Sequence, residues 1–285
     1  MSDIFDMRTF SIAAGIVAMF CCLPMIYMIG SGKTYPGMFH WTAATISSFL
    51  GLILNGLKNA IPDVFSVVVA NTLIVGFVIL STRGLLEFVG RKSGRALDAA
   101  VLCGTAIVLG IFLFLWPSYA IRVTAICAVY AFYTIRSLMI IWKDFPALSL
   151  GRNWLLIITF ALSVAWYVVR ASLTLVFGHG ADLASAYFFQ TVSLVLALGA
   201  IVLVVSGYII VSLQCVKRDL DSAQREVKTL SGLLPICSSC HKIHDGSGHW
   251  IHIESYISRH SEASFSHGLC DDCAARLYPD LVGKQ

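Results

Sequence analysis

The chain is 285 residues long, 58% hydrophobic and only 13% charged, with a mean hydropathy of +0.80. Soluble domains carry about a quarter charged residues, so this composition excludes a soluble globular protein and points to an integral membrane protein. The formal net charge of +4 is modest; its placement carries the information, and no nucleic-acid partner is expected from it.

A helix needs about 20 apolar residues to cross about 30 Å of hydrocarbon. Seven runs of about that length follow one another, at 9–29, 41–57, 64–82, 97–117, 119–141, 153–177 and 186–213. The first reads as a span and not as a cleavable signal peptide, because it is long and no small-residue cleavage site closes it. Pro117 and Ser118 separate the fourth run from the fifth. Basic residues set the direction. Lys33, Arg83, Arg91, Lys92, Arg95, Lys143 and Arg152 fall on one side, seven in all, against three on the other, Arg8, Lys58 and Arg122. The N-terminus is therefore expected outside and the C-terminal tail in the cytoplasm.

The third span, "IPDVFSVVVANTLIVGFVILSTRGLLEFVGR" at 61–91, resembles the matching segment of membrane sensor modules that precede bacterial diguanylate cyclase domains. The resemblance implies a sensory input domain in a bacterial inner membrane and names no ligand. The cyclase segment itself is absent from the tail, and the tail has no room for the ATP-binding domain of a histidine kinase.

Ionisable residues within spans are costly and often functional. Arg170 lies beside Trp166 and Tyr167 near the outer end of span six. It reads either as a snorkelling side chain among interfacial aromatics or, with Arg122 and His179, as an outward-facing rim that senses an anion. Arg83, Glu87 and Arg91 recur at steps of four and read as a solvated stripe. Asn55, Asn71 and Gln190 read as interhelical hydrogen-bonding groups. Cys21, Cys22, Cys103, Cys127 and Cys215 read as small apolar residues.

The composition changes near Cys215. Residues 216–285 are polar and hold six of the eight histidines. Three parts follow: a seven-helix transmembrane sensory domain at 1–215, a coiled-coil linker at 216–234 and a cysteine-rich module at 235–285. In the linker, Val216, Leu220, Ala223, Val227, Leu230 and Leu234 recur at alternating steps of four and three. That is an a/d seam, read as a parallel homodimer stalk or as one amphipathic helix lying on the tail.

The tail carries two Cys-x-x-Cys pairs, Cys237 with Cys240 and Cys270 with Cys273, separated by 29 residues. Two such pairs supply the four ligands of a structural zinc site. The spacer is long for a ribbon, so it must hold its own short helix within "HWIHIESYISRHS", after the turn "DGSG". A reducing cytoplasm disfavours disulfides, and a module of about fifty residues needs a metal to be stable. His267 is a reserve ligand. "CSSCH" at 237–241 also matches a haem attachment site, and the pairs also read as a redox dithiol.

Residues 230–281, "LSGLLPICSSCHKIHDGSGHWIHIESYISRHSEASFSHGLCDDCAARLYPDL", resemble a small cysteine-rich module at the C-terminus of bacterial two-component and PAS sensor proteins. That family reads LLPIC-x-x-C-KKIRDD-x-G-x-W, then L-E-x-Y-I-x-x-HS, then FSHG-x-C-x-x-C and LYP. Here His241 and His244 replace basic residues, which creates the haem look-alike and adds metal-ligand candidates. The resemblance implies signalling and zinc binding, and no reaction.

The expected fold is an all-α membrane bundle of seven transmembrane helices, a short coiled-coil stalk and a small zinc-binding α+β cytoplasmic module. The expected partners are the lipid bilayer, a second copy of the chain and a cytoplasmic signalling protein. No nucleophile, acid–base pair or phosphate loop stands in a supporting context, so no enzyme is expected. The alternatives are a membrane redox protein using the cysteine pairs and a transporter with a regulatory zinc tail.

Overall fold

The computed structural model describes residues 7–32, 34–92, 94–148, 153–177, 183–228, 235–245, 247–260 and 263–278. The chain divides into two compact units, Met1–Cys215 and Val216–Gln285.

The first unit is a helical bundle. Its helices are α1 (Met7–Gly30), α2 (Met38–Gly56), α3 (Ala70–Phe88), α4 (Arg95–Gly110), α5 (Tyr119–Asp144), α6 (Trp154–Phe177) and α7 (Leu183–Lys228). A π-helical segment, Val64–Val69, leads into α3, and a second, Ile111–Leu115, extends α4. Ser118 caps α5 by accepting from the Ile121 N–H, which is why the chain turns where Pro117 breaks the helix. Six helices are long and apolar enough to cross a membrane. The chain is a multi-pass membrane protein.

α2 overlaps the second expected span but is not among those six. His40, Thr42, Thr45, Ser48 and Asn55 dilute its apolar content. It lies between α1 and α3, and its Trp41, Ala44, Thr45 and Ser48 are buried. A helix sheltered by protein can carry these hydroxyls. Its other face exposes Phe39, Ile46 and Leu50, as the helices around it expose Phe20, Leu162 and Val176, in the manner of a lipid-facing surface.

α7 runs as one helix of 46 residues. The chain divides into its two units at residue 216, and α7 runs through that division unbroken because no glycine or proline interrupts the chain there. The a/d positions Leu230 and Leu234 lie outside the described residues.

The second unit, after the end of α7, is small. Strands β1 (Ile243–His244) and β2 (Trp250–Ile251) pair antiparallel, with Ile243 opposite Ile251. Trp250 and Ile251 thus begin a strand, not the expected helix. Helix α8 (Ile253–His260) follows and buries Tyr256. Helix α9 (Asp271–Leu277) comes after an extended stretch. The "DGSG" turn is present: Gly248 takes φ 94°, and Asp245 Oδ1 accepts from the backbone N–H of Ser247 and of His249.

Candidate functional site

The bundle holds a cavity of about 1290 Å³. It is formed where the N-terminal ends of α3, α5 and α7 meet the C-terminal end of α6. Arg122 and Arg170 both line it, as do Arg8 and Lys58. Arg170 reaches across to α7, where Gln190 Oε1 accepts from its guanidinium. The same amide oxygen accepts from the Tyr119 hydroxyl at 3.3 Å. Arg122 Nε donates to the Ser118 carbonyl at 3.3 Å, back toward its own helix cap. Tyr130 and Tyr167 stack with ring centroids 4.9 Å apart and form part of the wall.

Arg170 therefore bonds inward to α7, where snorkelling would have turned it to the interface. Gln190 is interhelical as expected. Asn55 also bonds across helices, accepting from Ser11 at 3.4 Å, while Asn71 donates to the Val67 carbonyl of its own helical turn. All three amides line the cavity. His179 lies outside the described residues.

The opposite end of the bundle pairs its charges. Arg83 Nε lies 2.8 Å from Asp98 Oδ2, and the Tyr133 hydroxyl donates to Asp98 Oδ1 at 2.8 Å. Asp98 is buried. His40 meets Glu87 at 2.7 Å, and Arg91 meets Asp144 at 3.0 Å. Of the expected solvated stripe, Glu87 and Arg91 are exposed and Arg83 turns to buried Asp98, with the three partners on three different helices. The Arg83–Asp98–Tyr133 group escaped the sequence reading. Its signal was the one carboxylate in the first turn of α4, Asp98, placed beyond a cluster of basic residues.

In the tail, the two cysteine pairs share one construction. The backbone from Pro235 to His244 folds back on itself, with Cys237 N–H donating to the Lys242 carbonyl at 2.9 Å and His241 N–H to the Cys237 carbonyl at 2.9 Å. His241 takes φ 55° to close this turn, a conformation that costs a non-glycine residue roughly 1–2 kcal/mol. The Cys240 N–H points at the Cys237 sulfur and, with the Ser239 N–H and the Cys240 thiol, pulls the Cys237 pKa below that of an ordinary thiol. Cys270 stands at the N-terminus of α9, and the backbone N–H and thiol of Cys273 lower its pKa. All four thiols are free and at least partly exposed. A lowered thiol pKa favours both metal ligation and nucleophilic chemistry.

The donor chemistry of these four residues fits zinc. Among the described residues no three His, Cys, Asp or Glu side chains converge as a metal-holding group. His267 is exposed on the extended stretch before Cys270, and His244 packs edge-on against Trp250 at 5.1 Å.

No family model, curated protein or solved structure matches the chain.

Proposed function

We propose that the chain is a non-enzymatic signal-transduction protein of a bacterial inner membrane. A seven-helix bundle, with α2 as the seventh crossing, senses a ligand in the cavity of Arg122 and Arg170. A dimeric stalk passes the change to a cytoplasmic zinc-binding module that docks a signalling partner. The observation that carries this reading is α7. It lines the cavity from Gln190 to Leu203 and continues as the same helix to Lys228. A shift of its cavity end is transmitted along a continuous hydrogen-bonded rod. Leu220, an a/d residue, is 56% exposed in the single chain, as a seam that awaits a second copy would be.

Crosslinking of the full chain in membranes tests the stalk, with Cys215 replaced and control lanes for the tail thiols. A cysteine at Leu220 should crosslink to its counterpart under mild oxidation, and one at Asp221 should not. Equal yields at both positions would remove the defined stalk and with it the relay.

Cys237, Cys240, Cys270 and Cys273 would hold the zinc, which would tie the two ends of the tail together. Metal analysis of the purified full chain should give one zinc per chain, and Cys237→Ser or Cys270→Ser should abolish it. A second reading, a thiol switch within each pair, draws on the lowered pKa of the two exposed leading thiols. In metal-free protein, the alkylation rate at Cys237 and Cys270 should rise with pH and reach its midpoint below that of an ordinary thiol. The sign follows because only the thiolate reacts. Zinc should suppress this alkylation under the first reading; reactive thiols at full zinc occupancy favour the second.

A further inference from the structure

The cavity has two chemically different parts. Arg8 of α1, Lys58 in the connection after α2, Arg122 of α5 and Arg170 of α6 line it at one end of the bundle, the first two exposed and the last two half-buried. No carboxylate among the described residues lines it, and an acidic group outside the lining, Asp63, acts on Arg122. The deeper wall is apolar and includes Leu109, Ile126, Leu194 and Ile201. From Gln190 to Leu203 the lining follows α7 for about 20 Å, at 1.5 Å per residue. One leaflet of hydrocarbon is about 15 Å thick, half of a 30 Å core.

We propose that this cavity binds an anionic amphiphile, with a carboxylate or phosphate head on Arg122 and Arg170 and a hydrocarbon chain laid along α7. The assignment rests on the sensor reading and names the ligand class of that site. Two alternatives fit the walls less well. A small hydrophilic anion would leave the apolar depth without a partner. A neutral lipid would leave the half-buried guanidinium of Arg170 on the neutral amide oxygen of Gln190, where an anionic head would offer it a counter-charge. Guanidinium groups favour carboxylate and phosphate oxygens through paired, charge-assisted hydrogen bonds. Such a head competes with the neutral amide oxygen of Gln190 for Arg170. Binding would therefore loosen the tie between α6 and α7, which is the event a sensor needs.

The test uses the full chain in nanodiscs of phosphatidylcholine, with labelled palmitate as the probe. Saturable binding is expected, displaced by unlabelled palmitate and not by hexadecanol, which has the same chain and no charge. Arg122→Gln with Arg170→Gln should weaken palmitate at least about tenfold, the weight of a hydrogen bond to a charged group. Arg170→Lys keeps the charge but loses the paired contact, so it should weaken palmitate less than Arg170→Gln does, which separates charge from misfolding. Gly199 lines the cavity, and a Cβ there meets no heavy atom within 4 Å. Gly199→Phe should therefore fold, and should lower the affinity for palmitate more than for octanoate. A parallel arm replaces part of the phosphatidylcholine with phosphatidylglycerol. Displacement of palmitate by that lipid assigns the head group to the bilayer; undiminished palmitate binding assigns it to a free acid; either supports the site. Equal competition by hexadecanol, or binding indifferent to the double glutamine variant, overturns it. If palmitate binds and the Leu220 crosslink does not change, the site stands and the sensor reading falls.

Discussion

At one end of the bundle Trp41 lies flat against Tyr208 of α7, with ring centroids 4.3 Å apart and 7° between the planes. At the other end, Gln190 of the same helix reaches Arg170 and Tyr119 beside a cavity of about 1290 Å³. The closed end is crowded. A Cβ on Gly207 would lie 2.3 Å from Leu156, and one on Gly84 would lie 2.3 Å from Trp41. It holds three ion pairs, Arg83–Asp98, His40–Glu87 and Arg91–Asp144. The cavity end gathers Arg8, Lys58, Arg122 and Arg170, and among the described residues no carboxylate lines the space. One helix is thus clamped at one end and tied by a few hydrogen bonds at the other. That is the arrangement in which a small ligand can move a long rod, because differential binding has to overcome only the weak tie.

The sharpest way to break the comparison is to attack a charge at each end. Asp98→Ala strands Arg83 and the Tyr133 hydroxyl in a buried site. Removing one partner of a buried pair costs about 3–5 kcal/mol. Thermal unfolding of the purified chain in detergent should show this as a large loss. Arg83→Ala together with Asp98→Ala should cost less than the sum of the two single changes. Arg170→Gln at the cavity end should cost less than about 1 kcal/mol, since it removes one partly exposed contact. If both ends respond alike, the distinction between a clamped and a loose end is wrong.

Glycines make the second contrast. At Gly84 a Cβ would fall 2.3 Å from the Trp41 ring and 2.9 Å from the Gly37 carbonyl oxygen. Gly84→Val must push Trp41 off Tyr208, an overpacking cost of about 1–3 kcal/mol. Gly199→Ala meets open space, and its better helix propensity should stabilise by up to about 1 kcal/mol. The same unfolding assay should record opposite signs.

Hydropathy made the helices legible because lipid-facing residues must be apolar along their whole length, and the expected runs overlap α1 to α7. It was a poor guide to α2. Burial against protein, not lipid, sets that composition, and His40 and Asn55 sit where partners meet them. Arg122 and Arg170 stood out as charges inside apolar runs. Lys58 and Arg8 did not, because they fall in or beside loops, where a basic residue needs no explanation. The Arg83–Asp98 pair was hidden for a different reason. A spacing of four placed Arg83, Glu87 and Arg91 on one stripe of α3, but that pattern is blind to the helices that approach it. In the tail, the cysteine spacing showed the pairs. The N–H contacts that lower Cys237 and Cys270 depend on the turn at His241 and the start of α9, which no spacing rule contains.

The smallest expected effect is the most discriminating. Tyr119→Phe removes a 3.3 Å bond to Gln190 and leaves the Arg170–Gln190 contact in place. A single neutral hydrogen bond is worth about 0.5–1.5 kcal/mol, and this one is long, so stability should hardly change. Motion at the cavity end should change more, because one of the few ties across it is gone. Spin labels carried on unnatural amino acids would spare the native cysteines. Val176 of α6 and Val195 of α7 are exposed near the cavity end; Ile158 and Leu213 are exposed on the same two helices near the closed end. Tyr119→Phe should broaden the distance distribution of the first pair and leave the second pair unchanged, since the Trp41–Tyr208 stack and the Gly207–Leu156 contact do not involve Tyr119. Palmitate should broaden the first pair further, as its head takes Arg170 from Gln190. Broadening of both pairs would mean that α7 moves as a whole with no fixed end, and the lever would have to be replaced by a piston.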